Sequence, residues 1–362
     1  MTTDPRRDLL DPLLVAAGRA PSGDNTQPWR FLVDPSGERI ALRLDESRDP
    51  SPMNTGQRMA RIGVGAALEN LLRAAEGLGW AARLEPAAPP DLAVVRLVRR
   101  GAAGVVAAAI TSRVTNRRPY DGRPVPAEVL DQLARETPAL DGVGTYWIVG
   151  RGRLEAMAEI IGRADALMFG EPSMRRAFLS KVRFDAPAGA EVEEGLSLGS
   201  LELSGPDRLA LRLMRHIPDW TLKVAGAGRI FAAKARRLVA SASGLCLVAA
   251  PDDSEAIDLA VGRAMQRAWL ALADRGLAAQ PMMSLIVLEN ALGSEDPALV
   301  ASLGPDRVAT LSRRFRAATP EIGDRRPAFL LRFGYAPGPG GRTGRLPLSK
   351  VVVRVESNDM MR

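Results

Sequence analysis

The stretch Ala20-Pro-Ser-Gly-Asp-Asn-Thr-Gln-Pro-Trp-Arg-Phe31 decides how this chain is read. Before it, Leu9, Leu10, Leu13, Leu14 and Ala17 recur on one helical face, which predicts a helix that stops before Pro21. After it, Trp29 to Val33 reads as a strand and Ile40 to Leu44 as its partner. Pro21 and Gly23 suit an irregular turn at a helix end. Such a turn leaves backbone N–H groups and the side chains of Ser22, Asn25 and Gln27 free to meet a polar planar ring. The same residues also suit a plain helix-to-strand loop in which Asn25 and Gln27 only satisfy backbone groups.

Further along, Val64 to Leu78 predicts a long helix that Gly79 ends, and Leu92 to Val98 predicts a strand. A second unit opens near Thr111 with the polar run Arg113 to Tyr120. A helix over Ala127 to Arg135, a strand at Thr145 to Val149 and a helix over Ser254 to Arg275 follow. The two long helices match without gaps. Gly65-Ala-Ala-Leu-Glu-Asn-Leu-Leu-Arg-Ala-Ala-Glu-Gly-Leu-Gly79 lies against Gly262-Arg-Ala-Met-Gln-Arg-Ala-Trp-Leu-Ala-Leu-Ala-Asp-Arg-Gly276, and Ala-Ala recurs shortly after each. Such self-similarity predicts an internal duplication. Between the repeats lies a stretch rich in Arg, Met and Gly, about residues 162–243, which reads as an insertion.

At 362 residues and 46% hydrophobic content the chain can bury a substantial core. Cys246 is the only cysteine and sits in the apolar run Leu245 to Ala250, so it reads as a small buried hydrophobe and no intrachain disulfide is possible. His216 is the only histidine, which removes triads with a histidine base and metal sites with two or more His ligands. The net charge of +7 comes from scattered arginines such as Arg117-Arg118, Arg236-Arg237 and Arg313-Arg314, with few aromatics between them, so a nucleic-acid partner is not expected. No apolar run is long enough for a bilayer span, and Asp4, Arg6, Arg7 and Asp8 do not form a signal peptide, so a cytoplasmic protein without a membrane partner is expected. Gly63-Val-Gly65 lacks the third glycine and the preceding strand of a dinucleotide-binding turn. Zinc spacing, a phosphate-cradling Walker pattern and a nucleophile elbow are also missing, and no metal is expected.

The 20–31 stretch closely resembles the signature of the nitroreductase superfamily, in which Ala, Pro and Ser lead through Asn to Gln-Pro-Trp and a strand. The resemblance implies that Pro21, Ser22, Gly23, Asn25 and Gln27 face the ring of an FMN. Arg113, Thr115 and Arg117 match the family's Arg-x-Ser/Thr-x-Arg/Lys run, which holds the FMN phosphate and ribityl arm. Their alternate spacing in an extended segment puts the three side chains on one face. Arg345, in Arg345-Leu-Pro347, matches a further phosphate-binding arginine. Gly276-Leu-Ala-Ala-Gln-Pro281 matches the segment that covers the other side of the ring, through Gly276, Gln280 and Pro281.

In the family's ordinary homodimers the phosphate arginines and the ring-facing loop come from different subunits. Here the first half has the loop but only Arg6-Arg7 ahead of it. The second half has the phosphate run, but where its own loop belongs it reads Asp141-Gly-Val-Gly-Thr-Tyr-Trp147. The losses are complementary, which resembles the internally duplicated Acg-type members. The implied fold is α+β, a tandem duplication forming a pseudo-dimer with central antiparallel sheets flanked by helices. Residues 1–108 would carry the flavin-ring loop, and residues 109–362 the phosphate site and an insertion or lid. The implied activity is an FMN-dependent oxidoreductase. NAD(P)H would reduce the flavin, and a nitro compound, quinone or activated alkene would be reduced by ping-pong turnover. The pattern identifies no catalytic side chain. A lid-bearing FMN-storage protein is a different reading, and an oxygen-dependent flavin-modifying enzyme a third. A pseudo-dimeric monomer or a loose homo-oligomer is expected.

Overall fold

A computed structural model of the protein describes residues 5–99, 101, 104–187 and 189–355. Residues 1–4 and the side chains of Arg6 and Arg7, discussed above, lie outside what is described. Helix α1 (Pro5–Gly18) ends ahead of Pro21, as its periodicity predicts. Strand β1 (Trp29–Val33) puts Trp29, Phe31 and Val33 into the core and leaves Arg30 and Leu32 partly exposed, the period-2 pattern of a strand with one covered face. β2 (Arg39–Leu44) pairs antiparallel with it, and the long helix α2 (Arg58–Gly77) follows. Gly79, at φ +77°, then turns the chain into β3 (Trp80–Glu85), which pairs antiparallel with β4 (Asp91–Arg99).

Two short connecting helices, α3 (Ala108–Ser112) and α4 (Ala127–Glu136), lead to β5 (Gly144–Ile148). The chain then runs through α5 (Arg151–Gly170), α6 (Pro172–Lys181), a two-residue parallel pair of β6 (Val182–Arg183) with β7 (Leu196–Ser197), α7 (Gly205–Met214), α8 (Asp219–Val224) and α9 (Ala227–Ala240). Next come β8 (Gly244–Ala250), α10 (Glu255–Asp274), β9 (Ala278–Pro281), α11 (Ser284–Ala291), α12 (Pro297–Leu303), α13 (Pro305–Ala318) and β10 (Arg326–Gly334). A short α14 (Leu348–Val351) and β11 (Val352–Arg354) close the described chain.

The strands form two main sheets, β11-β1-β2-β4-β3 and β5-β8-β10-β9. All pairings in them are antiparallel except that of β11 with β1, so the fold is α+β with antiparallel sheets flanked by helices. In β8, Cys246, Val248 and Ala250 join one core cluster and Leu245, Leu247 and Ala249 the other, so this sheet is covered on both faces. That burial explains an unbroken apolar run where β1 alternates. Three features differ from the sequence expectation. β3 went unread because Trp-Ala-Ala-Arg carries little strand signal. α5 runs unbroken past residue 162 and packs along α9, with a Cβ at Gly162 only 3.0 Å from the Ala232 carbonyl oxygen, so both ends of the expected insertion belong to the packed body. The C-terminal β11 pairs with β1 at the far end of the sequence, which a linear reading cannot see.

The two aligned helices, α2 and α10, cross at their aligned glycines. A Cβ at Gly65 would stand 2.2 Å from the Leu259 carbonyl oxygen, and one at Gly262 would stand 2.0 Å from that of Ile62. In the same alignment Ile62 falls against Leu259, so the contact is reciprocal, as it is across a two-fold axis. The polar pairs beside it repeat this reciprocity. Gln266 Nε2 donates to Asn70 Oδ1 at 2.7 Å, and Arg267 Nε donates to Glu69 Oε1 at 2.7 Å, with Glu69 aligned to Gln266 and Asn70 to Arg267. Arg73 and Arg263 also reach the buried Glu69 carboxylate, which is therefore not left uncompensated.

Candidate functional site

Between α1 and β1 the loop takes a backbone that few sequences tolerate. Asp24, Asn25 and Gln27 have φ of 44°, 59° and 52°, in the left-handed region where a side chain costs about 1 kcal/mol or more. Asp and Asn are among the residues that bear it best, and side-chain bonds hold it in place. Ser22 Oγ accepts from Gln27 N at 2.9 Å. Asn25 Nδ2 donates to the carbonyls of Glu193, Gly195 and Gly344, and Gln27 Nε2 donates to Glu193 O at 2.7 Å. Gln27 Oε1 accepts from Leu346 N at 2.9 Å. The segment just before β7 and one near Gly344 to Leu346 thus fix one short loop.

Two cavities meet at this loop. The larger, about 960 Å³, lies within the size range of small-molecule sites and has mostly apolar walls, among them Met168, Phe169, Phe178, Phe231 and Met282. The smaller, about 70 Å³, is polar and is lined by Arg19, Arg113, Arg342 and Arg345. Pro21, Ser22, Asp24, Thr115, Arg117 and Leu196 line both, so they form the common wall.

The small cavity is strongly cationic. Arg113 is 7% exposed; it lies over the Trp269 ring and donates to Arg19 O at 3.1 Å, while its Nε has no hydrogen-bond partner. Burial, with the charges of Arg345 and Arg19 adding to it, pulls its guanidinium down to about 9. Arg345 is lowered to about 10 by burial and then Arg19, with Glu191 alone pulling the other way. Arg345 uses its fork on the protein more fully than Arg113 does. Nη1 donates to Asn25 Oδ1 and to Thr343 and Gly344, and Nη2 donates to the carbonyls of Arg19 and Ala20; its Nε is also buried without a partner. Two mutually repelling guanidiniums, Arg113 buried and Arg345 partly so, each with a buried Nε that has no partner, outnumber Asp24 on the same wall and form a site for an anion.

The large cavity carries perturbed carboxyls. Burial, helped by Asp49, raises Asp24 to about 6, against the opposing charges of Arg117 and Lys181. Asp165 on α5 is raised to about 7 by burial, with the Ser284 hydroxyl pulling it back. Burial lowers Arg117, opposed by Asp24 and Glu202; its backbone N–H and Nη1 bind Glu202 Oε2 and Ser200 O.

Of the residues expected at the site, Pro21, Ser22, Gly23, Thr115, Arg117, Gln280 and Pro281 line the large cavity, and Asn25, Arg113 and Arg345 line the small one. Gln27 and Gly276 line neither. Both ends of the Gln27 side-chain amide are taken up by Glu193 and Leu346, and Gly276, at φ +67°, turns the chain from α10 into β9. Gln280 Oε1 accepts from Arg332 at 2.8 Å. Sequence reasoning passed over Arg19, Asp24, Asp49 and Asp165. Asp24 stood inside the quoted stretch, next to Asn25, and its acidic side chain beside a polar loop was the available signal. Asp165 had none, because it stands in a helix without a motif.

No protein-family model matches the chain. It is 35% identical over 163 residues to a Mycobacterium tuberculosis protein named as a candidate NAD(P)H nitroreductase, covering 42% of this chain and 46% of that one. It is 28% identical over 282 residues to an uncharacterized protein of the same species, covering 75% of this chain and 38% of that one. The chain thus spans less than half the length of the curated relatives it matches. Among solved structures, the FMN-dependent nitroreductase NfnB of Mycobacterium smegmatis in complex with NADPH aligns at 20% identity and a TM-score of 0.37, over 68% of this chain and 96% of that one. A Bacteroides fragilis nitroreductase with bound FMN aligns at 15% identity and a TM-score of 0.35, over 68% and 97%. Over those 163 residues the chain is similar to the M. tuberculosis protein named as a candidate NAD(P)H nitroreductase.

Proposed function

We propose that the joined cavities hold one FMN, with its phosphate among Arg113, Arg19 and Arg345 and its ring against Pro21, Ser22 and Gly23 in the larger cavity. The observation that carries this is Arg113, a buried cation with an open Nε beside two further arginines, a group that an anionic ligand would satisfy. Gln280 and Pro281 would lie on the ring's other side. The loop belongs to residues 1–108 and Arg113, Thr115, Arg117 and Arg345 to residues 109–362, so the site is composite. The reciprocal crossing of α2 and α10 supports reading the two parts as halves of a duplication.

On this reading the chain is an FMN-dependent NAD(P)H oxidoreductase that reduces a small electrophilic acceptor by ping-pong turnover. Bound FMN supplies the redox chemistry, so the scarcity of histidine and cysteine is no obstacle. The protein contributes the rest. Arg117 places fixed positive potential at the common wall. The apolar walls keep water from the reacting face and accept an aromatic or quinonoid acceptor. Asp165 keeps its carboxyl proton near neutral pH inside the same cavity and serves as a proton donor to the reduced acceptor. FMN storage is the second reading. The hold of Glu193 and Gly195 on Asn25 and Gln27 favours it, since that segment covers the loop.

Stopped-flow mixing of the FMN-loaded protein with NADPH and with NADH separates the two. The oxidoreductase predicts rapid loss of the oxidised flavin absorbance with at least one of the two donors. A flavin that stays oxidised with both contradicts it and supports storage.

A further inference from the structure

Helices α7, α8 and α9 present apolar side chains on two faces. Inward, Leu211, Met214 and Phe231 line the large cavity, and Met214, Leu222 and Ala227 hold the three helices together. Outward stand Leu209 (59% exposed), Leu213 (52%), Trp220 (71%), Val224 (83%) and Ile230 (55%), together with Ile217. More than half of the large apolar side chains exposed among the described residues fall within this one segment. Leu209 and Leu213 are four residues apart on α7, and Trp220 and Val224 four apart on α8, so each pair shares a helix face. Monomeric proteins seldom leave this many large apolar side chains exposed within one short segment without a partner.

The charge around these residues points to the partner. Residues 205–234 contain Arg208, Arg212, Arg215, Lys223, Arg229 and Lys234 against only Asp207 and Asp219. Arg175 and Arg176 already pair with Asp219. Arg208, Arg212, Arg215 and Arg229 are exposed, so the apolar face has a basic rim. A second copy of the chain would bring the same basic rim against it and be repelled. An anionic surface is attracted, and only one with an apolar interior takes up tryptophan, valine and leucine side chains as well. Ile230 and Arg229 are both exposed and on the cavity wall, so the face borders the large cavity.

We propose that the outward face of α7, α8 and α9 docks on an anionic lipid bilayer, with Trp220 and Val224 entering the interface and the arginines meeting the headgroups. The proposal does not depend on the flavin reading. Docked in this way, the cavity would border lipid, the phase in which apolar quinones and nitroaromatics concentrate.

Co-sedimentation of the full chain with phosphatidylglycerol–phosphatidylcholine vesicles and with pure phosphatidylcholine vesicles tests it. The protein should sediment with the first and not the second, and raised salt should release it. Trp220→Ser combined with Val224→Ser should stay in the supernatant with an unchanged circular dichroism spectrum, because both positions are exposed. Arg212→Gln should weaken binding about five-fold, the change that one basic residue near an anionic surface contributes. Native protein that ignores the anionic vesicles, equal binding to both kinds, or a double variant that still binds would each overturn the proposal. A dimer seen by sedimentation equilibrium that the double variant abolishes would assign the face to a second copy and would also overturn it.

Discussion

The small cavity and the large one share a wall but are built on opposite principles. The small one gathers arginines, Arg113 buried and Arg19 and Arg345 partly so, with Asp24 as the acid on its wall, so a bound anion would relieve their repulsion. The large one is mostly apolar, and two of its carboxyls, Asp24 and Asp165, are pushed toward their neutral form, although Arg117, Arg229, Lys234 and Arg237 also reach its wall. One loop, Pro21 to Asp24, serves both. Positive charge is therefore concentrated at one end of the site and apolar surface at the other, an arrangement suited to a ligand with an ionic tail and an uncharged planar head.

Arg113 and Arg345 give the sharpest way to break that contrast. Arg113→Met keeps the side-chain volume but removes a charge that the fold holds at a cost. FMN affinity should fall by about 1.5–3 kcal/mol, roughly 10- to 150-fold, while the melting temperature of the flavin-free protein stays level or rises. Arg345→Met should lose affinity and melting temperature together, because its fork also holds Asn25 and the end of α1. Fluorescence titration and thermal denaturation of both variants check this. If both lose stability alike, the picture of a strained arginine pocket is wrong.

At the apolar end the effect falls on stability and depends on pH. Asp165 has its ordinary carboxyl value of 3.8 in the unfolded chain and about 7 when folded. The folded protein therefore holds a proton that the unfolded chain releases, and this group makes stability fall as pH rises from about 4 to 7, by roughly 2–4 kcal/mol. Below 4 both states are protonated and above 7 both are ionised, so the slope vanishes outside that window. Asp24, raised to about 6, contributes a slope of the same sign. Asp165→Asn should flatten the decline in denaturant midpoint between pH 4 and 7 relative to the native chain. An unchanged profile would mean that the carboxyl is ionised in the cavity.

The same contrast explains what the sequence made legible. The strands that could be read had strong local patterns: Trp29, Phe31 and Val33 alternate, and Leu245 to Ala250 is apolar throughout because both its faces are covered. The polar end of the site was legible as a motif because Arg113, Thr115 and Arg117 are close together in the chain and share a face. The apolar end was not. Its walls come from α5, α7 and α9, whose leucines, methionines and phenylalanines look like any core residues until the fold leaves a space between them. Asn25 and Gln27 fall between these cases. The sequence marked them as important, but their side chains are used on Glu193, Gly195, Gly344 and Leu346, partners that no local pattern could announce.

The central claim is one composite FMN site per chain, and counting released flavin against protein tests it most directly. The protein should be yellow as purified or after reconstitution, and denaturation should release one FMN per chain, identified by mass spectrometry. Two FMN per chain would contradict the composite site. FAD, or no flavin bound after reconstitution, would contradict the assignment of the arginine pocket to a terminal phosphate.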